Sequence, residues 1–148
     1  MNPWKSYRQI ATQTAPPGQL VLMLFDGAIR SIDRALQGFT RSDIGERNAT
    51  IHNNLQRAME IIRELNDSLD LESGGQLAET LQHLYLFFEN RLIESNLKKS
   101  RKGIDEIMPM IKQLRDAWAA MLTGQQVDPD MVMPAAPANY QSARLMTA

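Results

Sequence analysis

Between Pro16 and Phe39 the apolar positions fall into two helical rows rather than one. Val21, Leu24, Ala28, Ile32, Ala35 and Phe39 form the first; Leu22, Phe25, Ile29 and Leu36 form the second. The pattern predicts a helix from about Pro17 to Phe39. Pro16-Pro17-Gly18 launches it, because a proline in the first turn gives up an N–H that has no intrahelical partner there. One row suffices to face a bundle core. The second is surplus apolar surface, and it needs a cover.

Three further helices come next in the same register. Asp43 and Glu46 make a capping-box pattern that opens the second. It carries Ile51, Leu55, Ala58, Ile62, Leu65 and Leu69 and stops before Gly74-Gly75. Ser73 and Gln76 make a second such pattern, which predicts a third helix through Leu77, Leu81, Leu84, Tyr85, Phe88 and Leu92 to about Lys98. The fourth holds Ile104, Ile107, Ile111, Leu114, Trp118 and Met121, the alternation of an antiparallel packing seam, with Leu114 and Trp118 expected in the core. Pro109 interrupts it, so a kink there or a true start near Met108 is expected. No stretch alternates with period two. The predicted fold is therefore an all-α, antiparallel, up-and-down four-helix bundle over residues 17–123. Residues 1–16 carry Trp4, Tyr7 and Ile10 at a spacing of three, a candidate N-terminal cap segment. From Gly124 to Ala148 the pattern dissolves among prolines, and a disordered tail is expected.

Composition narrows the function. The chain has 148 residues, enough for one domain burying roughly 70% of its unfolded surface. Its net charge of −1 provides no global field for nucleic acid or anionic lipid. Having no cysteine, it has neither disulfides nor thiolate chemistry. Met1 to Ile10 does not resemble a signal peptide. The longest apolar run, Leu20 to Phe25, is far short of the roughly 20 residues of a membrane helix. A cytoplasmic protein without stable membrane insertion is expected. The nine methionines serve either as core filler or as adaptable contact surface.

Catalytic and metal motifs are missing. His52 and His83 are the only histidines. A di-iron bundle places Glu-x-x-His on two helices; here Glu79 and His83 are four apart. Nucleophile-elbow, Walker and dinucleotide-binding glycine patterns are absent. No catalytic residue, cofactor or metal is expected. The one basic run, Lys98-Lys99-Ser100-Arg101-Lys102, lacks interleaved aromatics and reads as a solvated helix end, so no nucleic-acid partner is expected.

The third helix adds to the apolar surplus. Leu84-Tyr85-Leu86-Phe87-Phe88, with Leu92 and Ile93, covers more of its circumference than a small bundle needs inside. Leu86, Phe87 and Ile93 are then exposed, covered by Trp4, Tyr7 and Ile10, or covered by a partner. Such surfaces accept amphipathic segments of other chains.

Four ordered blocks resemble the flagellar export chaperone family FliS. They are Tyr7 with Ala15 to Leu20 and Met23 to Gly27; Ala58, Ile61-Ile62, Leu65 and Leu69-Asp70; Leu81, Leu84-Tyr85, Arg91 to Glu94 and Asn96; and Leu114 to Trp118. The resemblance runs from about Trp4 to Leu122. Pro16 stands where the family usually has a serine able to cap the first helix, a loss on the order of 1 kcal/mol. Leu86, Phe87 and Phe88 depart from the family's more polar continuation, and Ser95 replaces its usual alanine. The resemblance implies a cytoplasmic chaperone of type III flagellar export. It would bind the disordered C-terminal segment of flagellin, prevent premature polymerisation and keep the client export-competent. Export-gate components and other flagellar regulators are implied as further partners, and the segment around Tyr7 as a cap over one groove.

The expected flagellin-binding groove comprises Leu22, Phe25 and Ile29 on the first helix with Leu86, Phe87, Ile93 and Asn96 on the third. Asn96 would either bond client backbone or cap its helix. Arg91 and Glu94 read as an ordinary exposed ion pair. The alternatives are a structural oligomerisation module, in which the surplus rows bury against a second copy, and a bundle enzyme.

Overall fold

The computed structural model describes residues 17–124. The expected cap at Trp4, Tyr7 and Ile10, and the tail beyond Gly124, lie outside the described residues. Four helices, α1 (Pro17–Gly38), α2 (Ile44–Asp67), α3 (Gly75–Lys98) and α4 (Lys102–Leu122), form an up-and-down antiparallel bundle. α1 packs on α2 and α4, and α3 packs on the same two. α1 and α3 therefore face each other across a diagonal. The starts of α1 and α3 and the ends of α2 and α4 share one end, the head of the bundle.

The helix boundaries obey local chemistry. Asp43 caps α2 as its sequence predicts, its carboxylate accepting from the Glu46 N–H at 2.8 Å. The capping box expected at Ser73 does not form. α3 starts at Gly75, its N-cap Gly74 offers no side chain, and Ser73 is instead bound to Asp70. Gly74 cannot be replaced cheaply: a Cβ there would strike the Asp70 carbonyl oxygen and the Ala78 methyl. α3 closes on Lys99 in the left-handed region at φ 50°, with the Ser100 N–H reaching back to the Ser95 carbonyl at 3.1 Å. Asn96 is thus not the cap. α4 begins at Lys102 rather than near Met108, and Pro109 stands well inside it with its ring exposed. The carbonyl of Asp105 loses its intrahelical donor to that ring.

The core is one continuous cluster. Ala28, Ile32 and Ala35 from α1 meet Ile51, Leu55, Ala58 and Ile62 from α2, with Phe88 and Leu92 from α3 and Ile104, Ile107 and Ile111 from α4. The first predicted row of α1 therefore points inward. Burial of each large aliphatic side chain contributes roughly 1.5–3 kcal/mol. Polar links across helices then set the register. Arg115 Nε donates to Asp26 Oδ1 at 2.7 Å between α4 and α1, and Arg63 Nε to Glu89 Oε1 at 2.8 Å between α2 and α3.

Candidate functional site

At the head of the bundle α1, α3, α4 and the loop between α2 and α3 leave a space between them that side chains do not fill. The result is an apolar groove of about 250 Å³. Val21 and Phe25 of α1 form one wall, and Leu114, Trp118 and Met121 of α4 the next. Leu77, Leu81 and Tyr85 of α3 lie opposite, and Leu69 closes the floor from the loop. Two of these side chains stand on the rim in solvent: Leu77 is 51% exposed and Met121 44%. Leucine and methionine thus remain half in solvent at the edge of an apolar groove.

The polar parts of the site hold its shape. Trp118 Nε1 donates to the Gly18 carbonyl at 2.9 Å, fixing the α4 wall to the first turn of α1. The Asp70 carboxylate accepts from the backbone N–H groups of Glu72 and Ser73 at 3.2 and 3.1 Å, and from the Ser73 hydroxyl. These bonds, led by the Ser73 hydroxyl, hold the Asp70 carboxyl below the usual carboxylate value. Tyr85 is 4% exposed, and burial pushes its phenol well above the ordinary value of 10. It enters the groove as a neutral wall.

The residues expected to form the groove do not come together in one place. Phe25 lines the observed groove and is 2% exposed. Leu22, Ile29 and Leu86 are half-buried. Phe87 is also 2% exposed and lies in the core, its ring 6.3 Å from that of Phe88. The third helix therefore buries more of its circumference than a single inward stripe would. Ile93 is partly exposed and lies about two turns beyond Tyr85 along α3, away from the head.

Asn96 is buried as well. Its side-chain nitrogen lies 3.0 Å from His52 Nδ1, joining α3 to α2, while the Lys99 ammonium binds its backbone and side-chain oxygens. α1 and α3 are diagonal, and Phe25 of the one and Tyr85 of the other both line the groove at the head. Leu69, Leu77, Leu81 and Met121, which read in the sequence as inward-facing positions, line the groove instead.

The opposite end of α3 carries a smaller polar cavity of about 140 Å³, whose lining includes Arg91, Glu94, Ser95, Lys98 and Gly103. Arg91 is not in an ordinary exposed pair. It is largely buried and binds Glu94 and, across to α4, Glu106, both at 2.7 Å. Lys98 pairs with Glu94 at 3.0 Å, and Arg101 with Asp105 at 3.3 Å. Two of the four cations of the basic run, Lys98 and Arg101, are thus paired with carboxylates of α3 and α4. Both histidines are engaged through Nδ1, His83 with the Glu79 carbonyl at 2.9 Å and His52 with Asn96. Among the described residues no group of three His, Asp or Glu side chains could hold a metal. No described helix is long and apolar enough to cross a membrane.

Comparison with known proteins agrees with the resemblance. The family model described as "Flagellar protein FliS" matches residues 1–125. The chain is 31% identical to the flagellar secretion chaperone FliS of Bacillus subtilis over 127 residues, covering 86% of this chain and 91% of that one. It is 33% identical to the FliS of Salmonella typhimurium over 119 residues, 77% of this chain and 85% of that one. It is 29% identical to the chaperone FliSB of Pseudomonas aeruginosa over 122 residues, covering 80% and 94%. With a family match across most of its length and an all-α four-helix bundle that the match leads one to expect, this chain belongs to the FliS family of flagellar secretion chaperones.

Proposed function

We propose that this chain is a cytoplasmic chaperone whose client is the C-terminal segment of flagellin, held as an amphipathic helix in the groove at the head of the bundle. The observation that carries the reading is the groove itself: an apolar trough with leucine and methionine on its rim and an ordered polar loop at its floor. Such a trough takes i, i+3, i+4 anchors of a helix. A disordered client becomes ordered on binding, and the ordering cost keeps the complex reversible. Further client turns run over the half-buried Leu22, Ile29 and Leu86 and the exposed Ile93. Trp4, Tyr7 and Ile10 would cap the α3 surface at Leu86 and Ile93, outside the head groove, in the client-free chain and be displaced there by the client. The activity is sequestration of a polymerising segment, with no bond made or broken. Export-gate components then receive the complex.

The test is affinity for the flagellin C-terminal segment of the same organism in single-site variants. Leu77→Asp and Met121→Asp place a charge on the rim, where both native side chains are already half in solvent, so helicity by circular dichroism should be retained. Each should weaken binding about tenfold or more, as for an interface anchor. Ile44→Asp, at a 72%-exposed position at the start of α2 and the opposite end of the bundle, should bind like the parent. Full affinity in both rim variants would remove the groove from the binding site.

A further inference from the structure

Both ends of the described chain emerge beside the groove. Gly18 lies against the Leu122 side chain, α4 ends at Leu122, and the described residues end at Gly124, three residues after the rim residue Met121. The family match ends at residue 125, so residues 126–148 lie beyond the matched region. The stretch after Gly124 has two unlike parts. Residues 125–139 hold three prolines and the apolar Val127 and Met131-Val132-Met133, with two anions, Asp128 and Asp130, and no cation. Residues 140–146, Tyr-Gln-Ser-Ala-Arg-Leu-Met, combine three large apolar side chains with Arg144, the only cation after Gly124.

We infer that residues 140–146 of the tail dock in the head groove as an internal competitor of the client, with Tyr140, Leu145 and Met146 against its apolar walls and Arg144 beside the Asp70 carboxylate. This rests on the groove being the client site. The complementarity is specific: among the groove-lining residues Asp70 is the one charged side chain, and it is an anion. The acidic spacer is repelled from it and Arg144 is attracted. Reach is sufficient. A random coil of this length spans about 20 Å in the mean, and the segment starts about one turn beyond the rim residue Met121. Tethering at that distance gives an effective concentration in the millimolar range. A contact of millimolar intrinsic affinity then occupies the groove half or more of the time. Client affinity falls in proportion to the free fraction.

The experiment uses the full chain. Tyr140 is replaced by p-benzoylphenylalanine, and photo-cross-links are mapped by mass spectrometry with and without the flagellin C-terminal segment. The expected products are intrachain links to Leu77, Leu81 or Met121, suppressed by the client. In parallel, the Leu145→Asp/Met146→Asp chain should bind the client about two- to tenfold more tightly than the parent. Links only between chains, or none at the groove, would overturn the inference, as would unchanged client affinity in the double variant. If the client binds neither chain, the functional reading fails, while intrachain links to the groove would still establish the tail contact.

Discussion

Trp118 donates its indole N–H to the carbonyl of Gly18 at 2.9 Å, joining the last turns of α4 to the first turn of α1 across 100 residues of chain. One turn earlier Arg115 reaches Asp26 along the same seam. Two blocks that carry the family resemblance are thus halves of one contact, and it forms a wall of the groove. Trp118→Phe keeps most of the ring and removes the donor. It should lower unfolding free energy by about 1 kcal/mol in urea. It should also weaken client binding more than that loss of stability explains, because the α1–α4 wall is no longer fixed.

Phe87 separates core from groove. At 2% exposure it belongs to the packed interior. Phe87→Ala should cost about 3–5 kcal/mol, and Phe87→Asp, which buries an unpaired charge, should leave the chain largely unfolded by far-ultraviolet circular dichroism. A folded Phe87→Asp chain that had lost only client binding would return Phe87 to the contact surface.

Ser95 is a local imperfection. It is 2% exposed, and its hydroxyl has no hydrogen-bond partner among the described residues. Gly103 lies so close that a Cβ there would be 2.6 Å from Ser95 Oγ and 2.9 Å from the Arg91 carbonyl oxygen. Ser95→Ala should therefore stabilise the chain by about 1 kcal/mol, since it removes a buried group without a partner. Gly103→Ala should destabilise by about 1–3 kcal/mol, and less in the Ser95→Ala background, where one of the two clashing atoms is gone. Thermal or urea unfolding of the parent, the two single variants and the double variant measures both effects and their coupling.

The loop under the groove should loosen in acid. The Asp70 carboxyl is held below its ordinary value of 3.8, chiefly by the Ser73 hydroxyl. A depressed folded-state value means that the ionised carboxylate favours the folded loop above pH 3.8, and that this contribution is lost as pH falls through the folded value below it. At neutral pH, Asp70→Ala should speed amide hydrogen exchange at Glu72 and Ser73 while global stability changes little. Equal exchange in parent and variant would mean that the carboxylate does not order the loop.

Periodicity made the four helices legible, because core rows such as Ile51, Leu55, Ala58 and Ile62 state their face directly. Asp43 announced its cap in the same way. Ser73 did not, since Asp70, three residues earlier, captures its hydroxyl and leaves Gly74 at the cap position. Pro109 does not start α4 near Met108, because its ring sits on the exposed side of the helix, where a missing hydrogen bond is tolerated. The groove was harder still. A helical row tells which side of a helix is apolar, and it does not tell where neighbouring helices part. Leu77, Leu81 and Met121 carry the spacing of core residues, and only the structure shows that they line an open groove.

Whether the chain holds flagellin at all is decided by isothermal titration of the full chain with the C-terminal segment of its own organism's flagellin. Saturable one-to-one binding is expected, with a negative heat-capacity change as apolar surface leaves water and a gain in helicity of the mixture. No heat of binding at several temperatures, from a folded and monomeric chain, would contradict the chaperone reading.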